Sequence, residues 1–267
     1  MGVCIIKANG AIIALSDIVS VSVYKFEEYE ITECATHKYI VGHGHNGKPF
    51  ESNRAIEPTG VATISDRNIL DSLLILASKV LLALPKESDN LILSWCKTYG
   101  LPFCSIEASQ QVGYIACPLT QFRDFLFLLR DTFWKVESMY EDFCTEHDVN
   151  TFGKNPYTKQ SKHFTKEKKE SLVSDFINGA DLRLCFEYRN DTPTFYNYAP
   201  NIVSLAKYQF ALTLVSNGES VPRRCKCCGS MFFARRKNKL YGPCCTRQKR
   251  YAAEQRRRER EKGVKHG

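Results

Sequence analysis

No stretch of this chain is long and apolar enough to cross a bilayer. The most apolar run, Ile69 to Leu84, is broken by Asp71 and Lys79 and falls short of the roughly 20 residues a spanning helix needs. It reads as a buried helix, and no membrane partner is expected. Histidine is scarce, six in 267 residues, and dispersed. No H-E-x-x-H, nucleophile elbow, P-loop or dinucleotide fingerprint occurs, which removes the common motif-borne hydrolytic and nucleotide chemistries. Catalysis is not expected. A secretory leader is also missing, and the seven cysteines at 4, 34, 96, 104, 117, 144 and 185 show no pairing rhythm. Reduced thiols in the cytoplasm are the expectation. Met1-Gly2 does not make a myristoylation signal, because Ile6 stands where that motif wants Ser or Thr.

Positive charge is sparse over most of the chain and dense at its end. Residues 223–267 hold 16 Lys/Arg against 3 Asp/Glu, while the other 222 residues hold 21 against 26. A mildly acidic globular body thus carries a segment suited to a polyanion. Five of the twelve cysteines lie in the same segment, between Cys225 and Cys245.

Cys225 and Cys228 stand at C-x2-C, the tight turn that brings two thiolates to one tetrahedral ion. Gly229 follows and supplies the positive φ such a turn uses, and Phe232 or Phe233 can return over the site as a small core. Cys244 and Cys245 come at the distance usual for the second half of a small zinc site. They are adjacent, however, where that half ordinarily spaces its sulfurs by two to four residues. Cys245 is the better-placed third ligand, and Cys244, Cys227 and His266 compete for the fourth position. So short a segment cannot bury enough apolar surface to fold by itself, and a structural zinc ion would supply the missing free energy.

The order Cys225-x2-Cys228-Gly229, Phe232 or Phe233, Tyr241, Cys245 and a basic helix resembles the treble-clef zinc fingers that end bacterial proteins of the CGNR and ABATE kind. Cys225 and Cys228 match that family's first ligand pair and Cys245 its last ligand. Gly242 stands where the family places its remaining cysteine, and the Gly-Asn-Arg triplet is replaced after Cys245 by Thr246-Arg247. The resemblance implies DNA binding and a role in transcriptional regulation.

In the body, Ile12 to Leu15, Val19 to Phe26 and Lys38 to Val41 read as strands, with Asn46-Gly47 as a hairpin turn. His43 and His45 flank Gly44 and read as part of a solvated turn. A helix is expected from Thr63 or Ser65 through Leu81, stopped by Pro85. Others are expected at Asn90 to Tyr99, Leu119 to Cys144 and Lys166 to Ile177, the third with an aromatic stripe suited to a core. Residues 147–167 read as a polar loop. Leu182 to Tyr188 and Thr194 to Tyr198 alternate as a hairpin, and Asn201 caps a last body helix that Asn217-Gly218 ends.

The expected architecture is therefore α+β. A mainly helical body with β-hairpins spans 1–220, a treble-clef-like zinc finger with its basic helix spans 221–262, and a short tail spans 263–267. Cys225, Cys228, Cys244 and Cys245 are the expected metal ligands. Arg235, Arg236, Lys237, Lys239, Arg247, Lys249, Arg250, Arg256, Arg257, Arg258 and Arg260 are the expected nucleic-acid contacts. DNA is the first partner, with RNA or an acidic protein surface as alternatives. Self-association and a small-molecule ligand of the body stay open.

Overall fold

The computed structural model describes residues 4–8, 11–15, 19–43, 60–63, 68–137, 166–189, 192–215, 221–234 and 239–246, then 249, 251–252, 254–256 and 258–259. Asn46-Gly47, His45, residues 138–165 and Asn217-Gly218 lie outside them.

Helices and small sheets are mixed, as an α+β chain requires. β1 (Cys4–Ala8) and β2 (Ala11–Leu15) form a hairpin. β3 (Val19–Val23) lies inside a four-stranded sheet of order β6-β3-β9-β8, with β6 at Gly60–Thr63, β8 at Arg183–Arg189 and β9 at Thr192–Ala199. Its pairing with β9 is parallel and the others are antiparallel. β4 (Glu28–Cys34), β5 (His37–His43) and β7 (Ala116–Pro118) make a separate antiparallel sheet. The turn joining β4 to β5 is Ala35-Thr36, both at positive φ, the condition a two-residue hairpin of matching twist imposes. Neither residue is glycine or asparagine, so the sequence carries no sign of it.

Helix α1 (Asn68–Val80) is the centre of the core. Ile69, Leu70, Leu73, Leu74 and Ala77 are almost wholly buried, and α1 touches α2 (Pro85–Tyr99), α4 (Leu119–Glu137) and α6 (Ile202–Val215). Its beginning is tied across the fold, where the Leu70 N–H donates to Gln209 Oε1 at 3.0 Å. Thr63, read as a helix start, is the last residue of β6. Pro85 opens α2 instead of ending α1, in keeping with proline's place in a first helical turn. The short α3 (Ile106–Val112) was not expected, although Ser105 caps it by accepting the Ala108 N–H and Gly113 ends it in the left-handed region. Asn201 does cap α6, its Oδ1 accepting the Ser204 N–H at 2.8 Å. α5 (Lys166–Asn178) packs on α4 and α6.

The aromatic stripe of α4 is core. Rings follow one another from Trp95 through Phe122, Phe125, Phe176 and Phe210 to Phe233, with centroids 5.3–6.4 Å apart. Such spacing is that of interacting aromatic pairs. Trp134 departs from the stripe and is only half-buried. The last ring, Phe233, belongs to β11 (Met231–Ala234), which pairs antiparallel with β10 (Val221–Arg224).

Phe233 thereby plugs the cysteine-bearing hairpin into the body, meeting Phe133 and Phe210 at 5.3 Å each. Phe233→Ala should lower the free energy of unfolding by about 3–5 kcal/mol, as other buried aromatic truncations do. Denaturant titration of the full chain measures it.

Candidate metal centre

The turn between β10 and β11 is a knuckle. Gly229 donates its N–H to Cys225 O at 2.7 Å and Cys225 donates to Ser230 O at 2.9 Å. This closure sets Gly229 at φ 69°, which favours a residue without a Cβ. Cys225 and Cys228 are held on one side of that turn.

The second pair sits on another turn. Cys245 N–H reaches Gly242 O at 3.4 Å, so Gly242-Pro243-Cys244-Cys245 is a β-turn with proline at its second position, where its fixed φ fits. The bend carries both neighbouring sulfurs to the same side. Gly242 is buried, and a Cβ there would come within 3.0 Å of Phe232 Cδ1 and 3.2 Å of Cys244 Sγ. Its N–H, with that of Cys228, points at Cys225 Sγ. The position where the resembling family places a cysteine is thus filled by backbone, and Cys244 contributes a sulfur to the cluster instead.

All four sulfurs of Cys225, Cys228, Cys244 and Cys245 lie within 4.8 Å of one another. Individual separations are 3.1 Å for Cys228–Cys244, 3.5 Å for Cys228–Cys245, 3.6 Å for Cys225–Cys245 and 3.8 Å for Cys244–Cys245. A regular tetrahedron with metal–sulfur bonds of about 2.3 Å has edges of about 3.8 Å. Disulfides would need about 2.05 Å, and all four cysteines are free. The donor set therefore fits one tetrahedral ion with no coordination position left over, the form of a structural site.

Electrostatics in the cluster are those of thiols crowded without enough countercharge. Thiol protons of Cys228 and Cys244, aimed at Cys225 Sγ, hold Cys225 well below the ordinary thiol range. The same bonds to Cys225 and Cys228 push Cys244 far up, and burial pushes Cys245 up. Because a metal takes thiolate sulfur, uptake by this cluster would displace thiol protons and release them. Lys239, with Nζ 5.8 Å from the Phe232 ring, stands beside the site, where it would offset the net negative charge of a tetrathiolate centre.

Of the other candidates for the fourth ligand, Cys227 packs against the cluster and its thiol reaches Cys245, but its Sγ is not one of the four gathered sulfurs and also lies 3.7 Å from Lys249 O. His266 lies outside the described residues. His43 Nε2 is instead 2.9 Å from Glu30 Oε1, and the four cysteines are the one group of potential ligands gathered among the described residues.

Beyond Thr246, helical backbone recurs at the described positions between 249 and 259. Thr246 Oγ1 accepts the Lys249 N–H at 3.4 Å, a long cap bond three residues in. Tyr241 Oη donates to Glu254 Oε2 at 2.7 Å, fastening the segment to the cluster's rim. Of the expected nucleic-acid contacts, Lys239, Lys249, Arg256 and Arg258 are described and all are exposed. Arg235, Arg236, Lys237, Arg247, Arg250, Arg257 and Arg260 lie outside the described residues.

Purified protein should carry one ion per chain. Cys228→Ser or Cys244→Ser should weaken retention at least tenfold, while Cys227→Ser should leave it unchanged. Because protons compete with the ion for the same sulfurs, retention should fall as pH falls. Metal analysis and thiol titration before and after chelation check all three.

No protein-family model, curated protein or solved structure matches the chain.

Proposed function

We propose that the chain is a zinc-dependent nucleic-acid-binding protein, that its ligand is DNA, and that it acts as a transcriptional regulator. The observation that carries the reading is the four-sulfur cluster at the root of the most basic segment. An all-thiolate, closed, tetrahedral donor set selects zinc among common divalent ions and gives it a structural task. A knuckle on a β-hairpin, a second ligand pair on a turn and a helix that follows form the order of a treble clef, which is the fold this reading assigns to 221–262. That order also supports the resemblance to the CGNR and ABATE proteins.

The zinc ion would hold four sulfurs and so fix where the following helix starts and which way it runs. Lys249, Arg256 and Arg258 then project from an anchored element, and Lys239 adds a cation from the connecting loop. Tyr251, 75% exposed in the midst of them, offers a ring to stack against sugar or base. Such stacking is the mode by which aromatic side chains bind bases without regard to sequence.

Should about five phosphates be neutralised, log affinity for a duplex should fall against log salt with a slope near −4.5. Chelation should abolish binding of the full chain, and zinc should restore it. Retention on DNA in the presence of excess heparin separates a DNA-binding protein from one that takes any polyanion. A salt-independent interaction, or equal binding by the metal-free chain, would overturn the proposal.

A further inference from the structure

Next to the cysteine cluster, a hollow opens between α1, α4 and the knuckle, lined by Ser78, Leu82, Arg130, Trp134, Arg224 and Gly229. Phe127, Arg130 and Trp134 stand at i, i+3 and i+7 of α4 and so share one face. The Arg130 guanidinium carbon lies 4.5 Å from the centroid of Trp134 and 5.0 Å from that of Phe127. Arg224 approaches the same indole at 5.6 Å and is steered there by Glu137, whose Oε2 is 2.6 Å away. Two guanidinium groups therefore converge on one ring at the rim of the metal module.

Arg130 differs from its neighbours in having no carboxylate within ion-pair distance among the described residues. Arg224 is paired with Glu137 and Lys135 with Asp131, at 2.6 and 2.5 Å. Arg130 makes no ion pair among the described residues, and its buried Nε has no hydrogen-bond partner among them. Desolvation accordingly pulls its pKa below the ordinary arginine value, with Asp131 partly opposing. Burying a guanidinium donor without an acceptor is unfavourable unless something else supplies one. Cation–π contact with Trp134 holds the guanidinium carbon at 4.5 Å from the ring centroid, and the residue as a whole is only partly buried, a setting from which arginine can take a phosphate.

We infer that this hollow is a phosphate subsite, in which Arg130 and Arg224 take one backbone phosphodiester of the nucleic acid held by the cysteine module. The inference rests on the nucleic-acid reading above and extends the footprint from the basic segment onto α4. Gly229 follows the ligand Cys228 and has no side chain to obstruct a strand passing from the module to the hollow. Trp134, half-buried, and Met231, buried, supply the apolar part of the hollow's wall.

The test uses the full zinc-loaded chain, a duplex oligonucleotide and a salt series. Arg130→Gln should lower affinity about tenfold and make the salt slope shallower by about 0.9, while Arg130→Lys should keep the slope. Metal content and thermal unfolding establish that each variant is folded. Inorganic pyrophosphate provides a second probe. The chain has two tryptophans and Trp95 is buried, so a change in emission that Trp134→Phe removes reports the hollow. Arg130→Gln should remove it too. If Arg130→Gln binds DNA with the parent slope while Arg256→Gln does not, the subsite is overturned and the nucleic-acid reading stands. If the parent chain binds no nucleic acid, that reading fails. The hollow would then survive as a phosphate site solely through a pyrophosphate response lost in Arg130→Gln, and absence of that response would overturn it as well.

Discussion

Strand β11 has four residues, and its pleat divides them between two cores. Met231 and Phe233 enter the body, whereas Phe232 and Ala234 pack with Cys225 and Cys245. Because successive side chains of a strand point to opposite faces, one short element couples the position of the cysteine cluster to the main hydrophobic core. The coupling is reinforced at the backbone, where Met231 N–H donates to Ser78 Oγ at 3.1 Å, and that hydroxyl in turn donates to Leu74 O at 2.7 Å. α1, the most buried helix, is thereby bonded to the strand beside the cysteine cluster. A fragment beginning at residue 221 would expose Met231 and Phe233 to water, so the cysteine module leans on the body as much as on any ion.

The parts of this arrangement that could be read from the chain were those set by local chemistry. C-x2-C-Gly forced a knuckle, Asn201 before an apolar run specified a cap, and the spacing of Phe122, Phe125, Leu126, Leu129 and Phe133 specified a buried helical face. The adjacent pair Cys244-Cys245 looked like a defect because spacing rules describe two sulfurs on an extended or knuckle-like strand. Here the pair sits at the end of a turn begun by Gly242-Pro243, and the bend brings both sulfurs together. That dipeptide is a turn signal in its own right, and it supports the expected place of Cys244 among the ligands ahead of Cys227.

Other features were illegible for physical reasons. The Ala35-Thr36 turn uses positive φ at two residues that ordinarily avoid it, so tertiary pairing of β4 with β5 imposes a conformation that local preference opposes. β3 and β9 lie side by side although more than 170 positions separate them, and no pattern within either strand reveals its partner. Arg130 and Trp134 read as members of an ordinary amphipathic helix. Their special relation to Arg224 arises only when β10 is laid against α4.

That last contact bears on how charge is organised. The body is acidic overall, yet the acids nearest the module are spent on particular tasks: Glu137 orients Arg224, Asp131 pairs with the buried Lys135, and Glu254 takes the Tyr241 hydroxyl. Glu137 and Asp131 each neutralise one cation locally, and Glu254, besides accepting from the Tyr241 hydroxyl, lies 3.7 Å from Arg258. A field summed over the segment therefore stays positive even where acids are interspersed, and it extends over about a Debye length, roughly 8 Å at physiological salt. Arg130 and Arg224 lie at the edge of the same module, on a rigid helix and strand, where the entropy of fixing a long side chain has already been met by contact with Trp134. On the proposed reading, a polyanion drawn in by the exposed charges of the basic segment would meet preorganised contacts there, since diffuse attraction governs encounter and preorganised groups govern dwell time.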